Sequence, residues 1–475
     1  MDLKKIIGLS VSIILTLIAL LIPTESFGIP GLTVIEQRVI ALFIFAATMW
    51  ISEAIPIWTT SVLVLVLMLL TTSDSMFNFM RVDDPSFGTP ISNSALMGSF
   101  AHPTIMLFMG GFVLAITATK YKLDAALAKF MLAPFGTRSE FVMLGFILVT
   151  AIFSMFMSNT ATAAMMLAIL SPVLSSLPAD GKGRIGLALS IPIAANIGGI
   201  GTPIGTPPNA IAKGNLESLF GINISFGDWA MIMIPIALII LIIMWVVLMK
   251  MFPFSQKNIK IEIEGEFEKS PKAIIVYITF AVTVLLWVTD KVTGVNSNVV
   301  ALLPVAVFAG IGVITRRDLE EINWAVLWMV AGGFALGVAL NETGLAANLI
   351  NSIPFNTWPV LAVLIGSGVI CYTLSNFISN TATAALLVPI LAVVGKSMTA
   401  ELAPIGGVAC LLIGIAVAAS VAMILPISTP PNALAHGTGM IEQKYMAKSG
   451  LIMGIIGLVL GYGMLVMLGS IGFFG

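Results

Sequence analysis

Ser158-Asn159-Thr160-Ala161-Thr162-Ala163-Ala164 interrupts an apolar run, and the same seven residues return in the same order as Ser379-Asn380-Thr381-Ala382-Thr383-Ala384-Ala385. The offset is 221. Thr206-Pro207-Pro208-Asn209-Ala210 returns at an offset of 223 as Thr429-Pro430-Pro431-Asn432-Ala433, and Gly110-Gly111-Phe112 at 222 as Gly332-Gly333-Phe334. Three matches in one register mark two copies of one unit. Such a repeat constrains a fold more than any single motif does.

The composition around these motifs sets the solvent of the fold. Of 475 residues, 58% are hydrophobic and 9% charged, and the mean hydropathy is +1.07. Soluble domains carry roughly a quarter of charged residues. At ~20 residues per span the apolar content supplies about ten to twelve crossings. A water-soluble enzyme, a nucleic-acid-binding protein and a disordered scaffold are excluded. The 22 basic and 23 acidic residues nearly cancel, so no polyanionic partner is implied. Cys371 and Cys410 lie in apolar stretches, and two histidines are too few for a histidine-based metal or catalytic centre.

The first apolar run, 6–23, follows Lys4 and Lys5 and lacks a small-residue cleavage site before Glu25, which predicts a retained first helix. The one long polar stretch, 255–272, alternates Lys and Glu and reads as a solvated loop between the repeats, dividing the chain into 1–254 and 273–475. Segments 138–177 and 357–396 read as hairpins with the Ser-Asn-Thr motifs at their tips, each entering and leaving on one side. Segments 185–220 and 404–435 read as broken helices. About eleven crossings then remain. With the N-terminus inside, seventeen of the 22 basic residues fall on the cytoplasmic side, Lys120, Arg138, Lys182, Lys260 and Lys448 among them. Four fall outside, namely Arg38, Arg81, Lys291 and Lys396, and Lys213 lies within a span. The positive-inside rule favours this arrangement. It predicts inverted repeats, the first hairpin cytoplasmic, the second outer, and the C-terminus outside.

Ser, Asn and Thr inside an apolar run continue a helix poorly. Neither proline of the Pro-Pro pairs donates a backbone hydrogen bond, and Gly198, Gly199, Gly201 and Gly205 loosen the first pair's surroundings. Irregular backbone at membrane depth is tolerated where it lines a cavity or is buried in protein. Broken helices at matching positions of inverted halves point to a secondary transporter's site. Half-helices starting at Thr160/Ala161 and Thr381/Ala382 present free N–H groups and positive dipole ends that suit anionic oxygens. Carbonyls at 154–157 and 375–378 suit a small hard cation. The motifs hold no carboxylate. Proton-coupled carriers usually keep an ionisable group in the bundle, so a metal cation is the expected co-substrate. Glu53 and Glu342 read as span-end residues. Lys213 and His436, matched at an offset of 223, read either as helix residues reaching toward the interface or as fixed charges replacing a coupling cation, as an exchanger needs.

The doubled Ser-Asn-Thr and Pro-Pro-Asn motifs resemble the divalent anion/sodium symporter family of di- and tricarboxylate carriers, over essentially the whole chain. The resemblance implies an all-α polytopic inner-membrane protein and a homodimer, with a mobile domain moving elevator-fashion past a scaffold. It places substrate carboxylates at Ser158, Asn159, Thr160, Ser379, Asn380 and Thr381, beside Thr206, Pro207, Thr429 and Pro430. One sodium site would be Ser154, Ser158, Asn159 and Gly205, the other Ser375, Ile378, Asn380 and Ser428. The expected activity is sodium-coupled import of C4-dicarboxylates such as succinate, fumarate and malate, with citrate or sulfate possible. A dicarboxylate exchanger is the alternative. An integral membrane enzyme lacks support, since the glycines of 198–205 miss the phosphate-loop lysine and precede a proline break.

Overall fold

The computed structural model describes residues 3–178, 181–259 and 265–474, and every regular element in them is helical. Among these residues nine helices are long and apolar enough to cross a membrane, or ten if Thr399–Ile405 and Gly407–Ser420, bent by 70°, form one broken span. The chain is thus an all-α polytopic membrane protein. Leu3–Leu21 stands largely exposed at the periphery. Val34–Ser52 follows it and opens on a capping box in which Thr33 and Glu36 satisfy each other's backbone N–H groups.

Each Ser-Asn-Thr motif sits at the tip of a hairpin. Ser139–Phe156 and Asn159–Ser175 form the first, and Val360–Ser375 and Asn380–Ser397 the second. The serine makes each turn possible. Ser158 accepts from the Ala161 N–H at 3.2 Å and Ser379 from the Ala382 N–H at 3.1 Å, so each caps the returning helix. The returning helices start at Asn159 and Asn380, earlier than expected, because the cap moves the boundary onto the serine. Beyond each hairpin lies a broken helix, Lys182–Gly199 with Pro207–Phe220 and Gly407–Ser420 with Pro430–Gly437. The prolines take the first helical positions of the second segments, where a missing N–H costs nothing.

The halves interlock. Pro207–Phe220 packs on Asn380–Ser397 and Gly407–Ser420 of the second half, and Pro430–Gly437 packs on Asn159–Ser175 and Lys182–Gly199 of the first. The repeated glycine pairs explain themselves in the same way. A Cβ on Gly110 would strike the carbonyl of Ala301, and one on Gly332 would meet Ser61 Cβ at 2.5 Å. In each case a glycine of one half lets a helix of the other approach to backbone contact.

The polar segment between the halves is less free than its composition implied. Ser139 donates to the Gln256 carbonyl at 2.5 Å, and the Ile259 N–H donates to the Thr137 carbonyl at 2.7 Å. Its start is therefore laced to the base of the first hairpin. Residues 260–264, including Lys260 of the basic count, lie outside the described residues.

Candidate substrate and cation site

Four helix N-termini converge on one cavity of about 690 Å³, within the range of small-molecule sites. Ser158, Asn159, Thr160, Ser379, Asn380 and Thr381 line it from the hairpin tips, and Thr206, Pro207, Thr429 and Pro430 from the breaks. Every residue expected around the substrate is thus brought to one wall. Of those expected around cations, Gly205 and Ser428 also line the cavity, while Ser154, Ser375 and Ile378 are buried and absent from its lining. Phe108, Phe112, Trp58 and Met329 supply apolar walls, and among the described residues Glu53 is the one ionisable side chain in the lining.

The hairpin tips carry the donors. Each serine cap uses one orphan N–H of its helix, and the first helical positions, Asn159 with Thr160 and Asn380 with Thr381, have no intrahelical acceptor. Each terminus adds about half a positive charge. The cavity wall at the hairpin tips is therefore positive by dipoles alone.

Behind the first tip, oxygen atoms crowd together. Ser154 Oγ lies 2.7 Å from the Asn159 amide and donates to the Ala195 carbonyl at 2.7 Å. The same end of that amide lies 3.0 Å from the Gly205 carbonyl. Placing the amide nitrogen there satisfies these acceptors, whereas the amide oxygen there leaves oxygen atoms facing one another. Glycines permit the approach. A Cβ on Gly199 would meet that end of the Asn159 amide at 2.5 Å and the Gly205 carbonyl at 3.1 Å.

The equivalent second cluster is less paired. Ser375 Oγ and Asn380 Oδ1 are buried without a hydrogen-bond partner. Ser428 donates to the Asn376 carbonyl at 2.9 Å, and Asn376 Oδ1 accepts from the Ile424 N–H at 2.8 Å, so Asn376 braces the second break.

Sequence reasoning passed over the asparagines that hold the breaks in shape. Asn209 Nδ2 donates to the carbonyls of Thr202 and Gly199 at 2.8 and 3.0 Å. Asn432 Nδ2 donates to those of Met423 and Leu425 at 2.8 and 3.1 Å. Each staples the carbonyls freed by its own break, and its place in the doubled Pro-Pro-Asn motif was the available signal. Asn196, outside any repeated motif, also lines the cavity.

Lys213 fits neither reading made for it. Its side chain is 1% exposed and lies 3.4 Å from Glu217 one turn on, so it neither reaches the interface nor faces the cavity as a free charge. His436 Nδ1 lies 2.8 Å from the Ile441 carbonyl, away from the cavity lining. Glu342 accepts from the Ser92 N–H at 3.1 Å at the end of its helix.

A family description, the sodium:sulfate symporter transmembrane region, matches residues 3–471. The chain belongs to that family. It is accordingly a secondary transporter and not an enzyme, in a family that couples anion movement to sodium. An uncharacterized transporter of Haemophilus influenzae is 35% identical over 437 residues, covering 88% of each chain. The sodium-dependent dicarboxylate transporter SdcS of Staphylococcus saprophyticus is 31% identical over 458 residues, 89% of this chain and 84% of that one. Among solved structures, the YdaH transporter of Alcanivorax borkumensis superposes with TM-score 0.58 at 14% identity over 80% of this chain and 88% of its own. MtrF of Neisseria gonorrhoeae does so with 0.54 at 13% over 86% and 94%. At such identities these two speak to the fold alone.

Proposed function

We propose that this chain imports C4-dicarboxylates such as succinate, fumarate and malate with sodium, by alternating access between two inverted repeats. The observation that carries the reading is the convergence of four helix N-termini on a cavity lined almost wholly by neutral groups. Four termini contribute roughly two positive charges in sum, matching a dianion with a carboxylate at each hairpin tip. The name of the staphylococcal relatives supports the same substrate class.

Sodium would sit behind the tips. The Ser154 hydroxyl and the Gly205 carbonyl lie 2.7 and 3.0 Å from one end of the Asn159 amide, which can turn its oxygen toward them. With its amide oxygen turned inward, that cluster is crowded by acceptors until a cation joins them. Ser375 and Asn380 offer two unpartnered oxygens at the matching place. Oxygen donors suit a hard cation. The pairing of Lys213 with Glu217 weakens the case for an exchanger built on that lysine.

The cavity is walled by Glu53, at the end of Val34–Ser52, and by Asn323, at the start of Trp324–Glu342. On the orientation favoured by the basic residues both lie at the cytoplasmic side, making this an inward-open state with the N-terminus inside and the C-terminus outside. An elevator-type movement of the hairpins, in a homodimer, would turn the site outward. Purified protein in proteoliposomes should accumulate radiolabelled succinate only under an inward sodium gradient. Uptake that ignores sodium and requires preloaded dicarboxylate would replace the symporter with an exchanger.

A further inference from the structure

We propose that Asn196 is a positioning residue that holds the Thr429 hydroxyl as a hydrogen-bond donor to one end of the substrate, a role resting on the dicarboxylate reading above. The argument is a chain of amide orientations. Asn432 Nδ2 is committed to the Met423 and Leu425 carbonyls at 2.8 and 3.1 Å. Its Oδ1 therefore faces the other way, toward Asn196. That oxygen obliges Asn196 to present its own NH₂, which lies 3.4 Å from Asn432 Oδ1 and 3.1 Å from Thr429 Oγ1. A second donor, the Asn432 N–H, meets Thr429 Oγ1 at 3.3 Å.

A hydroxyl has two acceptor positions and one donor. Both acceptor positions of Thr429 are filled by N–H groups, so what remains is its O–H, on a residue that lines the cavity. Asn196 is 1% exposed and Thr429 3% exposed, so both side chains are held by the packing around them. A fixed donor suits a carboxylate oxygen and costs no reorientation when the anion arrives.

The first half has no such device. At the offset of 223 that relates the two Pro-Pro-Asn motifs, Asn196 corresponds to Ala419, which has no polar side chain to reach back to the first break. Thr206 makes no side-chain capping bond, and Asn209 Oδ1 is buried without a partner. The repeat is symmetric in its motifs and asymmetric in its donors. One carboxylate meets an oriented hydroxyl, and the other meets a free rotor at Thr206. The orienting residue belongs to the opposite half from the group it orients, so binding at the second break depends on the register of the two halves.

The test is the kinetics of sodium-driven succinate uptake in proteoliposomes. Asn196→Ala, and the similarly shaped Asn196→Leu, should raise the KM for succinate about tenfold, the low end for a hydrogen bond to a charged group. Maximal rate should stay within about twofold, and the sodium concentration giving half-maximal rate should not move. In a Thr429→Val background, Asn196→Ala should add nothing further, since the hydroxyl it orients is gone. An unchanged KM, or an equal additional loss in that background, overturns the proposal. So does failure of both Asn196 variants to reconstitute as folded carriers, which would make the residue structural. Absence of succinate uptake by the unaltered protein would instead refute the dicarboxylate reading.

Discussion

Asn159 and Asn380 hold matching positions in the repeat but sit in different hydrogen-bonding states. Asn159 is engaged by Ser154 and adjoins the Gly205 carbonyl, whereas the Oδ1 of Asn380 has no partner. Either amide can serve an anion through its NH₂ and a cation through its oxygen. Asn159→Ala and Asn380→Ala should each reduce uptake to background while the protein still folds. A hydrogen bond to a charged group is worth about 1.5–3 kcal/mol, or tenfold to beyond a hundredfold in affinity. Near-normal uptake by both would place the site elsewhere. Glu53 is the opposite case, a carboxylate in the wall of the cavity proposed to take the anion. Burial raises its pKa above the ordinary glutamate value, and the charge of Lys5 opposes that rise. Glu53→Gln should lower the KM for a dianion roughly two- to threefold near neutral pH, the scale of one partly solvated charge. A raised pKa means that Glu53 loses its charge at a higher pH than a free glutamate. The ratio of the two proteins' KM values should therefore approach one as pH is lowered, and should begin to do so at a higher pH than for a free glutamate. The ratio cancels the substrate's own titration, and a pH-independent ratio would show that Glu53 is not felt by the anion.

At the scale of elements, the hairpins and breaks owe their shapes to different residues. Serine caps make the tips, while the asparagines after the prolines collect the carbonyls that the breaks release. Glycine sets how tightly the two pack. A Cβ on Gly198 would lie 2.5 Å from the Ala151 Cα, so the first broken helix rests directly on the backbone of the first hairpin. The inverted arrangement is tested at this level. Lys182 and Lys396 are both exposed, one at the start of the first broken helix and one at the end of the second hairpin. With Cys371 and Cys410 replaced, a cysteine at position 182 should react only with reagent on the cytoplasmic side, and one at 396 only from outside. Labelling of both from one side would make the repeats parallel and remove the alternating geometry.

On the proposed function, the whole molecule would move a dianion against the membrane potential. A negative-inside potential opposes entry by about 2.3 kcal/mol per charge per 100 mV. Accumulation therefore needs more than two sodium ions per dianion if the potential is to help. With an inward sodium gradient, imposing a negative-inside potential on proteoliposomes should speed succinate uptake. A slower rate would mean net negative charge moves inward, and no effect would mean electroneutral exchange or two sodium ions per dianion. The interlocked halves bear on the mechanism as well. Each second helical segment is embedded in the other half, so the two breaks and two hairpins are tied together and would travel as one body.

The Ser-Asn-Thr and Thr-Pro residues that line the cavity were legible from the chain itself, because a repeat of rare polar motifs in an apolar sequence has no cheap structural explanation at membrane depth. The same holds for the helical class and for the matched halves. Other features depended on partners distant in the chain. Lys213 read as reaching toward the interface or as a fixed charge until Glu217 and its burial were seen, and one-dimensional spacing does not report which face of a broken helix is inside. The interlock of the halves was equally hidden, since Gly110 and Gly332 announce a close approach without naming Ala301 or Ser61. Asn196 belongs to no repeated motif, and its role rests on Thr429 and Asn432, more than two hundred residues away. Motif and hydropathy are local properties that a sequence carries by itself. The pairing of buried donors with buried acceptors is a property of the packed interior, and only the tertiary structure decided it.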